Sequence, residues 1–584
     1  MTSLALAVGV FLVYAWGACP SIYVGDSGEL VAAVHVLGIP HPSGYPLYVL
    51  LGKVFTLLFP WGSVAYRMSL FSSACSAACV GLLHCACRRF GMGSVPASTG
   101  ALFFAFAPSH WAEANIQRVY SLNALFVALA TLLALEWHTK RRPALLIAAF
   151  GVCGLGAANH TFMAVYGLVL LALSLPGQAR CPGGLRVILS SVAAASAGLA
   201  TYLFLPLRSR ADPPLDWGNP QTLDRFLAVV TRRDFWERRW LSGAGDLFPI
   251  VLDYVRSLGA ELHWAGAMLA VFGLAWTWRR GRFALALLLG VMAANLAVVA
   301  LHGSRSDIFI WHRYYIPSYF AASMLAAFGA WRLVAHMPSR LHWLPVLIPV
   351  GAGVAGFAAA DRSRYRIAEA YSRRLLESLP PGAHLAASDD NILFVLLYLR
   401  LVEEMRSDVE LIPQGIGEAD LPPLRFDPDT DPLYLTHHPN WSVPGLEIVP
   451  SGLVFRTVRA GRPRPAPVSL PDQLDGETDP RVPKDYLTRN LVGEFHYMKG
   501  LGMESADWPR AALEFERAKR AAPDNDVLFY NLGLIYRRSG RLDEALEAFR
   551  RCDAINPRGI GRRQVLASER IREIEAALAA ERTR

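Results

Sequence analysis

Two carboxylates and a histidine lie close together near the start of the chain, in a pattern that suits acid–base chemistry. Asp26 and Glu29 fall in the sequence GDSGEL, and His41 and Tyr45 follow in HPSGYP. Carboxylates three residues apart share one face of a helical turn, so either one could accept a proton from a hydroxyl. The same spacing also fits a capping box, with Asp26 as the N-cap. Spacing alone leaves both interpretations of the carboxylates open, and for His41 and Tyr45 it favours turn residues held by the flanking prolines.

Further polar residues fall in loops that the charge pattern described below assigns to the same side of a membrane. An arginine at a membrane boundary can simply extend to water or to lipid headgroups. It can also bind a phosphate through two parallel hydrogen bonds. So many polar groups on one side predict a substrate site that opens outward and accepts an anionic, membrane-anchored molecule. The candidate binding residues are His41, Tyr45, Glu113, Arg118, Asn159, His160, Arg208, Asp216, Trp217, Asn219, Arg313 and Tyr314.

Several classes of function are disfavoured by what the sequence lacks. It has no P-loop, no glycine fingerprint of a dinucleotide fold and no HExxH motif, so a soluble nucleotide donor is unsupported. No metal-ligand cluster has convincing spacing, which predicts a metal-independent protein without a cofactor. The net charge of +9 comes with basic residues that flank apolar runs, and this argues against nucleic-acid binding.

The candidate residues are separated by apolar stretches long enough to cross a bilayer. Hydrophobic residues make up 53% of the chain and charged ones only 18%, and the shortage of charge lies before residue 361. The stretch 143–179 is interrupted by Asn159, His160 and Thr161, which predicts two short helices joined by a polar turn. Segment 46–66 reads as an interfacial or re-entrant helix. Together the stretches predict a polytopic α-helical protein with about 11 spans: 1–25, 68–87, 90–112, 119–135, 143–179 (two), 187–207, 262–278, 283–304, 314–331 and 341–360.

The basic residues between these stretches predict how the helices are oriented. They occur in every second loop, which places those loops on the cytoplasmic side. The alternate loops carry the candidate site and face outward, and the C-terminal region emerges on the same outer side. The Ala- and Arg-rich composition suggests a bacterial inner membrane with a periplasmic catalytic face. The basic loops contain Arg88 and Arg89, Lys140 to Arg142, Arg180 and Arg186, Arg279 to Arg282, and Arg332 and Arg340.

The region after residue 360 reads as three soluble parts. Residues 361–459 predict a small α/β unit, with strands at 384–388, 409–413, 433–435 and 452–458 and a helix at 391–405. Residues 460–489 are rich in Pro, Arg and Asp and predict a linker. In residues 490–584, Ala511, Phe515 and Pro523 recur 34 positions later, which predicts α-helical tetratricopeptide repeats that bind a protein partner.

Three motifs together resemble a known family of membrane proteins. GDSGEL with LGIPHPSGYPLY, YLFLPLRSRADPPLDWGNPQT, and the turn ANHTF look like a protein O-mannosyltransferase-like family of the GT-C glycosyltransferase superfamily, in which tetratricopeptide tails also occur. The resemblance implies a GT-C-like fold, a polyprenyl-phosphate sugar as donor, and a catalytic acid in the first external loop. By match to that loop, Asp26 becomes the preferred catalytic residue, with Glu29 as its helper. His41 and Tyr45 become plausible site residues, and Arg208, Asp216, Trp217 and Asn219 match the later motif.

Motifs, topology and resemblance together predict a membrane glycosyltransferase. It would move mannose or a similar hexose from the lipid-phosphate donor to a hydroxyl of a protein or glycan on the outer face, with inversion at the anomeric carbon. The main alternative is a transporter or flippase of lipids or lipid-linked glycans that performs no transfer. This chain has HPSGYP where the family pattern leads us to expect HPPGYP, a change that loosens one turn without removing a reactive group.

Overall fold

The computed structural model describes residues 2–178, 180–236, 240–302, 311–414, 426–438, 444–462, 468–557, 559 and 565–582. The chain divides into two compact units. The first comprises Met1–Tyr23 and Ser27–Tyr365. The second comprises Val24–Asp26 and the described residues from Arg366 onward. The finer division predicted from the sequence, at residues 360, 459 and 489, stays a prediction.

The first unit is helical in all of its regular structure that is described. Most of its helices are apolar, and short polar or proline-containing segments separate them. In chain order they are α1 (Ser3–Trp16), α2 (Ser27–Val36), α3 (Pro46–Leu58), α4 (Val64–Arg89), α5 (Ser94–Ala105), α6 (Pro108–Ala114), α7 (Tyr120–Lys140), α8 (Pro143–Ala157), α9 (Phe162–Gln178), α10 (Gly184–Leu199), α11 (Phe204–Ser209), α12 (Leu223–Val230), α13 (Leu247–Glu261), α14 (Ala265–Arg280), α15 (Arg282–His302), α16 (Ile316–Val334) and α17 (Leu344–Ala360).

The predicted count of about 11 spans is not confirmed. Within the described residues, five helices are long and apolar enough to cross a membrane: Val64–Arg89, Tyr120–Lys140, Gly184–Ser209, Arg282–Leu301 and Ser339–Ala360. A sixth results if Ala244–Glu261 and Ala265–Arg279, bent by 108°, are taken as one span. Several predicted spans form shorter helices because the chain breaks inside the apolar stretch. In 90–112, for example, α5 ends before Pro108, which begins α6.

Helix α7 separates the two kinds of loop that the charge pattern distinguishes. With 21 residues it is about 30 Å long. Near its C-terminal end, Glu136 lies 3.7 Å from Arg89 and the ring of Trp137 contacts Phe283, so three basic loops meet there. At its N-terminal end, Tyr120 contacts the rings of His160 and Tyr314. The candidate site and the basic loops therefore lie at opposite ends of this helix.

Helices α14 and α16 approach each other closely because glycines face each other at their crossing. A Cβ atom at Gly329 would lie 1.9 Å from the carbonyl oxygen of Leu269, and one at Gly273 would lie 1.9 Å from that of Leu325. Small residues at such a crossing allow the two backbones to pack directly. The core positions of helix α16 are shielded from solvent, since Phe320, Met324 and Phe328 are fully or almost fully buried.

The second unit contains one mixed sheet with helices before and within it. Strands β1 (His384–Ala387), β2 (Glu410–Pro413), β3 (Leu433–Leu435), β4 (Leu446–Ser451) and β5 (Val454–Arg459) are ordered β2-β1-β3-β5-β4. The central β1 is parallel to both β2 and β3, whereas β5 is antiparallel to β3 and β4. Helix α18 (Ile367–Glu377) precedes β1, and α19 (Asp390–Leu401) connects β1 to β2. The strand β4 is absent from the sequence prediction.

The end of the second unit is a row of antiparallel helices. They are α20 (Tyr486–Met503), α21 (Trp508–Ala521), α22 (Asp526–Arg538), α23 (Leu542–Ile555) and α24 (Ala567–Arg582). The 34-residue equivalents Phe515 and Phe549 are both fully buried. Each ring packs on a glycine, because a Cβ at Gly500 would lie 2.5 Å from Phe515 and one at Gly533 would lie 2.8 Å from Phe549. The repeating aromatics thus fill the space that small residues leave open.

The glycine crossing of α14 and α16 gives a testable expectation. Gly329→Val should destabilise the protein by about 1–3 kcal/mol or more, since the branched side chain has no space against Leu269. Melting of the purified protein in lipid nanodiscs, followed by light scattering, would measure the loss. Gly351→Val in α17 is the matched control, because nothing lies within 4 Å of a Cβ there. Equal melting temperatures for the two variants would contradict close packing at this crossing.

Candidate active site

The core of the candidate site is a carboxylate–imidazole–phenol chain built from the first motif. Both carboxylate oxygens of Glu29 bind His41: Oε1 accepts the backbone N–H at 2.8 Å and Oε2 lies 2.5 Å from Nδ1. On the other side of the ring, Nε2 lies 3.1 Å from the hydroxyl of Tyr45. Glu29 is fully buried, so its carboxylate orients the imidazole and does not face solvent. Glu29 therefore binds His41, which is 12 residues away in the chain, in addition to any helix-capping role at the start of α2.

A short backbone pairing brings the second motif against the first. Ile39 N–H donates to the carbonyl of Leu215 at 2.8 Å, and Trp217 N–H donates to the carbonyl of Ile39 at 3.0 Å. Gly38 makes the approach possible, because a Cβ there would lie 2.8 Å from the oxygen of Leu215. As a result the indole of Trp217 lies edge-on to His41, with 6.2 Å between ring centroids.

Arg208, predicted to bind substrate, contacts the protein backbone. Its Nε donates to the carbonyl of Leu37 at 2.8 Å, and its Nη2 donates to the carbonyl of Val36 at 3.1 Å. These carbonyls end α2, where the helix leaves acceptors unpaired and the helix dipole favours a cation. The guanidinium therefore fixes the end of the helix that carries Glu29.

Asp216 and Asn219 both bind Ser209, the last residue of α11. The Ser209 hydroxyl lies 2.6 Å from Asp216 Oδ2 and 3.0 Å from Asn219 Oδ1. Burial raises the pKa of Asp216, although the Ser209 hydrogen bond opposes the shift. The other carboxylate oxygen, Oδ1, is buried and has no hydrogen-bond partner among the described residues. These contacts hold the motif loop on α11.

A second cluster combines cations with aromatic rings. The guanidinium of Arg313 lies over the rings of Tyr120 and Tyr314, 5.2 and 5.4 Å from their centroids. Tyr120 in turn contacts His160, 5.7 Å away between ring centroids. Burial, helped by the nearby cation of Arg232, lowers the pKa of His160 to about 3, so its imidazole is neutral. The loops before α7, after α8 and before α16 meet here.

Arg232 is the site residue that the sequence prediction misses. It follows α12 and lies within electrostatic range of four tyrosine hydroxyls, those of Tyr45, Tyr120, Tyr202 and Tyr314. Within the part of the chain that the structure describes it forms no ion pair, and its Nε is buried without a hydrogen-bond partner. In the sequence, the adjacent arginines Arg232 and Arg233 are the signal that could have indicated a cation at the site. The sequence does not indicate which of the two faces inward. Arg233 is exposed and pairs with Asp224 at 2.9 Å.

Packing of α12 explains the position of Arg232. Val229 belongs to a buried apolar cluster with Ile39, Leu47, Tyr202 and Leu205, and Phe226 and Val230 pack against it. The chain then turns sharply, since Arg232 has a φ angle of +60°. The same cluster holds the first motif in place, because the N–H of Leu47 donates to the carbonyl of Ala158 at 3.2 Å.

The remaining predicted residues lie around these two clusters or beside them in the chain. Glu113 and Arg118 are buried, and both lie within electrostatic range of the hydroxyl of Tyr48. The side chain of Asn159 donates to the carbonyl of Val119 at 3.3 Å. Asp26, which is only partly buried, immediately precedes α2. The catalytic or binding role of each predicted residue stays a prediction.

Metal binding receives no positive indication from the geometry. Among the described residues, no group of three or more His, Cys, Asp and Glu side chains is arranged to hold an ion. Independence of metals and cofactors stays a prediction.

Comparison with solved structures defines the class of fold. The chain is similar to ArnT from Cupriavidus metallidurans, solved with undecaprenyl phosphate, with 17% identity and a TM-score of 0.51. The similarity covers 79% of this chain and 99% of ArnT. At this level of identity it shows the fold alone, and that fold is the GT-C fold predicted from the resemblance.

Sequence comparison finds similarity to one family of proteins. Residues 26–176 match the model of the Protein O-mannosyl-transferase TMEM260 N-terminal domain, and residues 528–558 match a tetratricopeptide repeat. The mouse Protein O-mannosyl-transferase TMEM260 is 29% identical over 437 residues, which are 70% of this chain and 62% of the relative. A Dictyostelium discoideum relative of the same name is 26% identical over 294 residues, 46% of this chain and 35% of the relative. The resemblance drawn from the motifs is therefore confirmed, although the chain spans less than two thirds of the length of these relatives.

One sequence prediction is contradicted by these comparisons. The relatives come from mouse and Dictyostelium, both eukaryotes, so the predicted bacterial inner membrane and periplasmic face are wrong. The prediction relied on an Ala- and Arg-rich composition. Such a composition is physically compatible with bacterial and eukaryotic membranes alike, so it does not distinguish between them.

The contacts of Arg208 predict a loss of stability when it is replaced. Arg208→Ala should remove two charge-assisted hydrogen bonds at the end of α2 and destabilise the protein by about 1.5–3 kcal/mol. A melting curve in nanodiscs would measure this loss. Arg210→Ala is the control, because the neighbouring arginine is exposed. An unchanged melting temperature for Arg208→Ala, with weakened binding of a lipid phosphate, would contradict a structural role and favour direct substrate binding.

Proposed function

We propose that this chain is a membrane glycosyltransferase that moves mannose or a similar hexose from a polyprenyl-phosphate donor to a hydroxyl of a protein or glycan. The observation that carries the proposal is a cation, Arg232, for which the described residues supply no carboxylate partner. Arg232 lies among tyrosine hydroxyls, and Arg313 lies over two of the same rings. A partly buried arginine in such surroundings is stabilised by an anion that arrives from outside.

The phosphate of a lipid-linked sugar is an anion of the required kind. Guanidinium groups bind phosphate oxygens through paired hydrogen bonds, and tyrosine hydroxyls can donate to the same oxygens. The tail of such a donor contributes about 0.8 kcal/mol per buried CH₂, so the membrane itself holds the substrate. ArnT, which has a similar fold, was solved with undecaprenyl phosphate bound, and this supports a lipid phosphate as the donor carrier.

The proposed reaction is a direct displacement at the anomeric carbon. The acceptor oxygen forms a bond to that carbon while the bond from the carbon to the phosphate oxygen breaks, which inverts the configuration. The acceptor proton passes to Asp26, and the lipid phosphate leaves with the electron pair of the broken bond. Arg232 and Arg313 stabilise the charge that develops on the phosphate. Glu29 and His41 position the loop and Tyr45 beside them.

Two further features belong to the same proposal. The site lies at the end of α7 opposite the basic loops, which supports transfer on the non-cytoplasmic face. The helical row after residue 486 offers a surface for a protein partner or acceptor.

Replacement of the proposed base tests the reaction itself. Asp26→Asn should lower transfer from polyprenyl-phosphate mannose to a Ser/Thr-rich peptide by about 10²- to 10⁴-fold. The reason is that the asparagine side-chain amide is not basic enough to take the proton of the acceptor hydroxyl. Labelled mannose on the peptide is the readout. Asp224→Asn, an exposed aspartate paired with Arg233, is the control. Full transfer by Asp26→Asn would contradict the proposal, and lipid movement across vesicles without any transfer would favour the transporter alternative.

Adjacent arginines test the phosphate contact. Arg232→Ala should weaken donor binding by about 10- to 100-fold, the equivalent of one charge-assisted hydrogen bond of 1.5–3 kcal/mol. The KM for the lipid donor measures this effect, and the KM for the peptide should not change. Arg233→Ala should leave both constants within about twofold, because its side chain is exposed and its pair with Asp224 lies on the surface. The opposite ranking of the two variants would show that Arg232 does not face the donor.

A further inference from the structure

The sheet of the second unit has the strand order at which open α/β sheets commonly have a crevice. Strand β1 lies between β2 and β3 and is parallel to both, so the chain leaves β1 toward β2 on one side and returns at β3 on the other. In open α/β sheets, the connections diverge at such a point and leave a crevice beyond the carboxyl ends of the strands. The candidate active site described above uses no residue of this sheet.

Polar side chains follow all three parallel strands at that edge. Ser388 and Asp389 come directly after β1, Gln414 after β2, and His437 shortly after β3. His437 Nδ1 lies 3.3 Å from the hydroxyl of Ser388, and the backbone N–H of Gln414 donates to the carbonyl of Ala387 at 2.8 Å. These contacts place the four side chains on neighbouring strand ends.

The turn after β1 is held in an unfavourable backbone conformation. Asp389 has a φ angle of +74°, which costs a residue other than glycine about 1–3 kcal/mol. Its carboxylate accepts the N–H of Asn391 at 2.8 Å and so begins α19. An exposed turn that needed only to connect two elements would be served better by glycine.

Two helices add buried polar groups behind this turn. Tyr371 of α18 is fully buried, yet its hydroxyl has no hydrogen-bond partner in the described part of the chain. It lies within electrostatic range of Asp389 and of Glu494 from α20. Glu494 in turn lies within range of Asp389 and His437, and burial raises the pKa of its carboxyl.

Three side-chain atoms in this region are buried and unpaired. They are the hydroxyl oxygen of Tyr371, Oδ1 of Asn391 and Nε2 of Gln414, for which no partner exists among the described residues. A buried polar atom without a partner costs about 1–3 kcal/mol, and native proteins have few of them. A donor, an acceptor and a hydroxyl without partners indicate a ligand that offers both kinds of group.

We propose that this crevice is a binding site for a neutral saccharide. Vicinal hydroxyls of a sugar each donate and accept, which matches the mixture of carboxylate, amide, imidazole and hydroxyl groups at the strand ends. The two carboxylates, Asp389 and Glu494, disfavour a phosphate or a nucleotide by charge repulsion. The site would hold a glycan on the second unit, in addition to the proposed transfer reaction and independently of it.

Saturation-transfer NMR of the full chain in lipid nanodiscs tests the proposal, since maltoside detergents would themselves compete. Methyl α-mannoside and mannobiose are the probes, and neither requires a lipid donor. We expect saturable binding that weakens at least tenfold in Tyr371→Phe and in Gln414→Ala. Tyr398→Phe is the matched control, because that hydroxyl binds Glu403 and should leave saccharide binding unchanged.

Each possible result either supports or contradicts saccharide binding at this site. Tyr371→Phe removes one buried oxygen that has no partner among the described residues, so its melting temperature should equal or exceed that of the unchanged protein. It serves as the deciding variant if Gln414→Ala fails to fold. Absence of saturable saccharide binding would overturn the proposal, as would equal binding by Tyr371→Phe. Binding of inorganic phosphate or of a Ser/Thr-rich peptide in place of the saccharides, lost in the same variants, would also overturn it.

Discussion

A backbone pairing between Ile39 and the segment around Asp216 holds the candidate site together. Ile39 and Asp216 are 177 residues apart in the chain (216 minus 39), and each segment contributes only a short loop. Two hydrogen bonds, at 2.8 and 3.0 Å, fix their register, and Arg208 reinforces it from the end of α2. Without this pairing, Trp217 would not reach His41, and the first motif would lack the surface on which it is ordered.

The environment of each arginine decides its role. Arg208 meets two carbonyl oxygens and stabilises a helix end. Arg233 meets Asp224 at the surface and is neutralised there. Arg232 lies near tyrosine hydroxyls, a neutral imidazole and the ring of Phe235, and no carboxylate among the described residues pairs with it. All three are the same residue type in the same stretch of sequence, and their chemistry differs because a guanidinium is satisfied by whichever acceptors surround it.

Local sequence signals anticipated much of the architecture. The polar interruption at Asn159 and His160 separates α8 from α9 as expected, and β1, β2, β3 and β5 overlap the segments where strands are predicted. Strand β4 was missed, because its residues Leu446–Ser451 lack a clear alternation and include a proline. The predicted number of spans stays unconfirmed, since apolar composition does not reveal where a helix breaks, as it does before Pro108.

The sequence by itself determined the helical, apolar character of the first unit, the repeat in the tail, and the motif that carries Glu29, His41 and Tyr45. These are properties of composition and short spacing, which act over one or two turns of chain. Only the tertiary structure decided that Glu29 binds His41, that Arg208 caps a helix, and that Arg232 faces the tyrosines. Each of those facts depends on residues brought together across long separations by the burial of apolar side chains such as Val229 and Leu205. A single sequence does not encode that proximity in any local pattern.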